Sequence, residues 1–384
     1  MNERPGLLTQ ASITLALLTG CHGADSPKTI FRDSANVAIV DNRGDDVPLR
    51  WAFDRIATVG GASSAVAMNQ LTEYTVDADT LGHVFVLDAW YGHRVQLIDT
   101  AGNLVRVLTR QGGGPGEVGN ATSISASSDG TLAIMDFSKT GLVRVRWDGA
   151  VLPILRLTGY ELFGGARATG DTVVLHTIDT RTTATPEQIR YRTATDTATL
   201  ATLSTDRLGW IPFCRAGMEG LTPMLAPELR WTARGSHVEL SRSAEYRIEG
   251  FQAGRLARIV RRTVPAVAGT VEAVQRFFPD GKVIGSRDCI VSAAELAAKR
   301  GVASTLQPVR RLAIDLEGRI WAERNTFPDE TPRTDVFDES GRYLGTVAGL
   351  GAPLGFPSRD LIVFGLPDST TNAPRLAIVR NPGH

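Results

Sequence analysis

Short runs of alternating apolar and polar residues, each closed by Gly, Asp or Asn, dominate the chain. Between Leu71 and Glu117, three runs (Tyr74 to Asp77, His83 to Leu87 and Arg94 to Ile98) are followed by a fourth after the Ala101-Gly102-Asn103 turn. A period of two bounded by turn residues predicts antiparallel strands in a meander. The pattern recurs from Ser123 to Leu155 and from Leu312 to Val347. The copies align, Val86-Leu87-Asp88 with Ile134-Met135-Asp136 and with Trp321-Ala322-Glu323, and Asp99 and Gly102 with Asp338 and Gly341. Asp88 to Asp136 is a step of about 48 residues, the length of one four-stranded propeller blade.

The expected fold is all-β, a six-bladed β-propeller of four-stranded antiparallel blades. Ala166 to Ser204 and Arg230 to Arg262 are weaker copies that keep the strand-turn-strand texture and lose the Asp and Gly markers. Ser358 to Val379 is too short for four strands, and Trp51 to Val59 is one run too many at the other end. Pairing that N-terminal strand into the last blade closes the ring and removes its open edges. Seven blades result instead if Ala35 to Asn42 or Tyr191 to Ser204 forms a blade of its own.

The chain then divides into a signal peptide over 1–20, a polar tether over 21–50 with one strand at Val37 to Val40, and the propeller over 51–380. Two inserts interrupt it, at 205–227 and 264–308. The second, between blades 4 and 5, carries a small helix. Ser292-Ala293-Ala294-Glu295 is a capping box and Gly301 follows Lys299 and Arg300 as a stop. A shorter helix is expected over Thr270 to Phe278. Both inserts, and the loops joining second to third strands, fall on one face of the disk. Loops held by a rigid scaffold are where binding sits.

The apolar stretch near the N-terminus is far shorter than the ~20 residues that cross a bilayer and has the length of a secretory signal. Leu18-Thr19-Gly20-Cys21 resembles the bacterial lipobox, which implies cleavage before Cys21 and a lipid on that residue. His22 is not the Asp of an inner-membrane retention signal. The expected location is therefore the cell envelope, on the outer membrane of a Gram-negative host, facing the periplasm or the exterior. Cys214 and Cys289, one in each insert, are either a disulfide, which an oxidising compartment permits, or two unrelated thiols. With 41 Lys and Arg against 41 Asp and Glu, no general basic field is present to attract nucleic acid. The membrane is met only through Cys21.

Val86-Leu87-Asp88, then Gly92-His93-Arg94-Val95-Gln96, then Asp99-Thr100-Ala101-Gly102, together resemble the NHL repeat. Arg110 to Glu117 is similar to the glycine-rich link between such repeats. The chain thus resembles secreted bacterial six-bladed NHL-like propellers over Trp51 to Val379. In that group the motif residues are fold markers, so the resemblance implies a fold and leaves the activity open.

Candidate chemistry is sparse. No G-x-S-x-G elbow appears, the histidines are scattered, and Gly112 to Gly116 lacks the G-K-[ST] of a phosphate loop. Trp90, Tyr91 and His93, in the loop between the second and third strands of blade 1, offer an aromatic surface on the insert-bearing face. Phe327 occupies the equivalent loop of blade 5. Other six-bladed propellers are calcium-dependent lactonases whose metal is held in the channel by oxygen ligands from several inner strands. Inner strands are expected at Tyr74 to Asp77, Ser123 to Ala126, Ala166 to Thr169, Glu228 to Thr232, Leu312 to Asp315 and Asp360 to Val363. Near their starts, Glu73 and Asn120 are the best candidate pair for a metal. The leading expectation is a binding module, rather than an enzyme, that holds an extracellular protein, glycan or small ligand through Trp90, Tyr91, His93 and Phe327. It needs no cofactor. The alternative is a calcium-assisted lactonase- or esterase-like hydrolase at the channel mouth.

Overall fold

A computed structural model of the protein describes residues 28–61, 64–89, 92–157, 165–178, 187–203, 210–214, 218–220, 222–284, 286–366 and 373–380. Six four-stranded antiparallel blades follow one another around a ring. Their inner strands are Val76–Ala78, Ala121–Ala126, Ala166–Thr169, Arg230–Arg234, Val309–Ile314 and Gly355–Ser358. The sixth blade takes its outer strand from the N-terminal side. Strand β3 (Asp54–Gly60) pairs antiparallel with Arg375–Arg380, Asp54 opposite Arg380 and Gly60 opposite Arg375. The last inner strand differs from expectation. Asp360 lies in the turn after Gly355–Ser358, a strand whose Gly and Pro357 read as a link because Pro cannot donate to a ladder.

Six apolar clusters fill the six gaps between neighbouring blades, which is what a closed ring requires. Val86 and Ile98 meet Val363 and Ile378 between blades 1 and 6. Leu97 meets Leu132 between 1 and 2, and Met135 meets Leu175 between 2 and 3. Trp231 meets Ile189 between 3 and 4, Ile248 meets Phe337 between 4 and 5, and Trp321 meets Phe364 between 5 and 6. Each blade therefore buries both faces against its neighbours, and the apolar residues of its two middle strands supply most of that burial.

The repeated markers turn out to be local ties. The Asp338 carboxylate accepts from Ser340 and Arg342 N–H at 2.9 and 3.0 Å, closing a turn in which Gly341 has φ +89°. A side chain is excluded from Gly341 a second way, because its Cβ would meet Val260 of blade 4. At the end of second strands, Asp136 accepts from the N–H groups of Gly119 and Asn120 at 2.8 and 3.0 Å. Glu323 likewise accepts from Ala352 N–H at 2.8 Å. Both carboxylates pin an inter-blade link.

More of the N-terminal stretch is ordered than one strand. Strands β1 (Lys28–Ser34) and β2 (Val37–Arg43) form a hairpin around Ala35 and Asn36, both at positive φ. Strand β2 then adds in parallel to the outer strand of blade 4, Ala38 opposite Arg258 and Asn42 opposite Arg262, making a six-stranded sheet. The chain continues over blade 5, where Thr346 N–H donates to Val47 O at 2.7 Å, before entering blade 6 as β3. Residues 28–50 are thus a belt across the outside of blades 4 and 5. Residues 1–27, with the expected signal and Cys21, lie outside the described residues.

In the second insert, helices α1 (Val271–Phe277) and α2 (Ala293–Arg300) form where expected, with Thr270 and Ser292 accepting from the N–H groups of Ala273 and Glu295. A disulfide joins Cys214 to Cys289, Cα to Cα 5.9 Å, and ties the two inserts together. Val274, Ile284 and Leu296 pack with Met224 around it.

Candidate functional site

Two of the cavities among the described residues bear on function. The first is the central channel. It encloses about 270 Å³ and takes residues from all six inner strands, among them Asp77, Ser125, Arg167, Thr232, Ala313 and Phe356. Alternation along each strand decides which side chains reach it. Arg167 and Thr169 come from blade 3, and Thr232 and Arg234 from blade 4. Asp77 pairs with Arg167 at 2.6 Å and also accepts from Ala126 N–H at 2.9 Å. Arg167 donates further to Glu73 O.

Arg234 is different. Its Nε donates to Ile314 O at 3.1 Å, and its guanidinium lies 5.8 Å from the Phe356 ring centre. Among the described residues no carboxylate pairs with it. Burial lowers its pKa from the ordinary arginine value, with Arg167 pushing the same way and Asp77 and Asp315 opposing.

The second cavity is a cleft of about 1,030 Å³ on the insert-bearing face. The belt supplies Arg32 and 41–43, blade 4 supplies 244–246 and 261–262, the insert 263–267 and 306–308, and blade 5 the loop 324–333. Its floor is a seam of ion pairs between blades 4 and 5. Arg324 grips Asp335 with two donors, at 2.9 and 2.8 Å, and reaches Asp46 at 3.0 Å. Arg262 is buried against the Tyr343 ring at 3.6 Å, donates to Asp46 and sits 3.5 Å from Asp335. Thr346 donates to the same Asp335 at 2.6 Å. Asp46 belongs to the belt, so the belt is held electrostatically to both blades. Higher on the wall, Arg43 is exposed and among the described residues meets no carboxylate, and Arg333 reaches the already paired Asp46 at 3.6 Å.

The residues singled out from sequence fall apart spatially. Phe327 is 8% exposed, packed on Phe277 at 5.0 Å and covered by Arg276 at 3.7 Å. Arg276 also holds Asp329 at 2.8 Å and Glu330 at 3.1 Å, so the aromatic clasps the blade 5 loop beneath α1 instead of facing solvent. His93 is half-buried with φ 39°. Trp90 and Tyr91 lie outside the described residues. Glu73 lines the channel, whereas Asn120 is exposed, does not line it, and its N–H serves Asp136. The two are not brought together.

A calcium ion wants six to eight oxygen ligands. The channel offers two carboxylates, one already committed to Arg167, beside two guanidinium groups that repel a dication. No cluster of three or more His, Cys, Asp or Glu suited to a metal occurs among the described residues. The donor set does not fit calcium. The channel arginines were missed from sequence because the inner strands were searched for oxygen ligands. The signal was present as Arg at alternate positions with Thr, in Arg167-Ala168-Thr169 and Thr232-Ala233-Arg234.

No family model matches the chain, and no curated protein sequence matches it. Solved structures do. A protein from Bacteroides fragilis inferred to be exported aligns over 89% of this chain and 99% of its own, with 10% identity and a TM-score of 0.51. A gluconolactonase from Xanthomonas campestris aligns over 88% and 98%, with 15% identity and a TM-score of 0.42. Regucalcin from Agrobacterium tumefaciens, a calcium-binding protein, aligns over 86% and 95%, with 10% identity and a TM-score of 0.39. At 10% identity the likeness to the Bacteroides fragilis protein speaks to fold alone.

Proposed function

We propose that the protein is an extracytoplasmic binding module that takes a polar extracellular ligand, from a protein or a glycan, in the cleft between the belt, blade 4, the insert and blade 5. The lipid on Cys21 and the NHL-like character of the repeats belong to the same reading. One observation carries it. The cleft is large for a ligand site, yet its walls are held by a disulfide-linked insert and a buried ion-pair seam, so it is preformed. Arg43 and Arg333 stand on its wall with charge to spare, and they supply directional donors at little cost in reorganisation.

The test is binding to glycan and peptide arrays by the protein and by an Arg43→Glu, Arg333→Glu double variant. The expected result is a ligand whose binding weakens at least ~10-fold in the variant, the loss of about one charge-assisted contact. Binding that is equal in both proteins, or absent from both, discards the cleft. The anchor is tested separately. Cys21→Ser moves the protein from the membrane fraction to the soluble one, and a variant still partitioning with membranes discards it. Elemental analysis is expected to find no stoichiometric calcium, and one calcium per chain would return the hydrolase alternative to the front.

A further inference from the structure

We propose that the central channel is a second, independent site, which binds a small monocarboxylate with an apolar body through Arg234. The argument begins with charge. Arg167 is matched by Asp77 at 2.6 Å, so it brings no net demand for an anion. Arg234 has one protein acceptor, a backbone carbonyl, and no carboxylate partner among the described residues, although its guanidinium carries five donors. Arg234 is half-buried, and its remaining donors are left to be completed from outside the protein. The cavity it faces is where that completion can occur. A carboxylate matches the planar fork of a guanidinium with two parallel hydrogen bonds.

The walls define the rest of the ligand. Blades 5 and 6 line the channel with Ala313, Ile314 and Phe356, and the opposite side presents Ser125, Ser128, Thr169 and Thr232. One apolar wall beside a hydroxyl-bearing one suits a molecule with a single charged end. About 270 Å³ admits a small molecule and excludes a polymer. Glu73 lies in the same lining, four residues before Asp77 and at the start of the blade rather than at the inner-strand end that carries Arg234. Its carboxylate opposes a second negative charge on the ligand, so monocarboxylates are selected over dicarboxylates.

The experiment is titration calorimetry on the full chain with benzoate, hexanoate, benzamide, adipate and inorganic phosphate. Benzoate or hexanoate is expected to bind, with benzamide, adipate and phosphate weaker by about 10- to 100-fold, the range of a lost charge-assisted pair. Arg234→Met, which keeps length without charge, is expected to lose the carboxylates to the same extent. Arg234→Gln serves as a second uncharged variant should the first fail to fold. Glu73→Gln is expected to admit adipate. Three results overturn the proposal: no carboxylate binding at millimolar concentration, benzamide binding as well as benzoate, or folded Arg234 variants that bind as tightly as the parent. The arginines of the cleft are untouched in these variants, so failure here leaves the cleft reading standing.

Discussion

Arginines are buried or half-buried in two regions, the seam between blades 4 and 5 and the central channel, and the two differ in how their charge is completed. In the seam, Arg262 and Arg324 are matched in charge by Asp335 and Asp46, with Thr346 donating to Asp335, although Nε and Nη1 of Arg262 are buried without a hydrogen bond. In the channel, Arg167 has Asp77, and Arg234 has a carbonyl and a ring face. A cation whose partners are all internal reads as architecture, since any incoming anion would have to displace them. A cation short of a partner and facing a cavity reads as a receptor. The same residue type in the same fold thus serves opposite ends.

The sharpest way to break that contrast is to remove the shared anion of the seam. Asp335→Ala leaves two buried guanidinium groups with only the half-exposed Asp46 between them, and a loss of ~3–5 kcal/mol is expected in urea unfolding. A loss below ~1 kcal/mol would mean that the seam is as incomplete as the channel. Next comes Asn42, which fixes the belt to the same seam. It donates to Gly341 O at 3.0 Å and Arg261 O at 3.2 Å and accepts from Tyr343 N–H at 2.9 Å. Asn42→Ala strands those backbone groups and is expected to cost about 2–3 kcal/mol, with earlier proteolysis of residues 28–50.

How much of this was legible in the sequence follows from how local each feature is. Blades 1, 2 and 5 announce themselves because their Asp and Gly markers close turns within four residues, as Asp338 and Gly341 do. Blades 3 and 4 lack the markers and still form, because alternation alone sets which face is buried. The helix cap at Ser292 was readable for the same local reason. The belt was not. Its turn, Ala35-Asn36, has no glycine, and its strands carry Lys28, Arg32 and Asp33, so it reads as a polar tether. What orders it is pairing with residues more than 200 positions away, such as Asp46 with Arg262. The channel was half legible. Placing the inner strands put Glu73 near the axis, but only three-dimensional register shows that Arg167 meets Asp77 while Arg234 meets no carboxylate among the described residues.

The channel side of the contrast predicts a change of opposite sign. Arg234→Met removes a desolvated charge that the unliganded protein does not complete. The variant is expected to be at least as stable as the parent, by up to ~1–2 kcal/mol, when measured without carboxylate in the buffer. A loss comparable with that of Asp335→Ala would show that Arg234 is a structural cation after all.

The smallest effect separates the regions by pH. For Asp46, burial raises the carboxyl pKa, and hydrogen bonds and charge from Arg324 and Arg262 outweigh it, so the folded value lies below the ordinary 3.8. A carboxyl depressed on folding contributes stability that is present above its unfolded pKa and lost as pH falls through the folded one. Melting temperature recorded from pH 6 to pH 3 should therefore decline more gently on the acid side in Asp46→Asn than in the parent. Solvent reaches Asp46, which keeps the difference modest. Arg234 stays protonated across that range and meets Asp77 and Asp315 only through space, so Arg234→Met should alter the acid limb less than Asp46→Asn does. An acid limb that flattened as much in Arg234→Met would tie the channel's stability to a carboxylate paired with Arg234, and the distinction between a completed and an open arginine would fail.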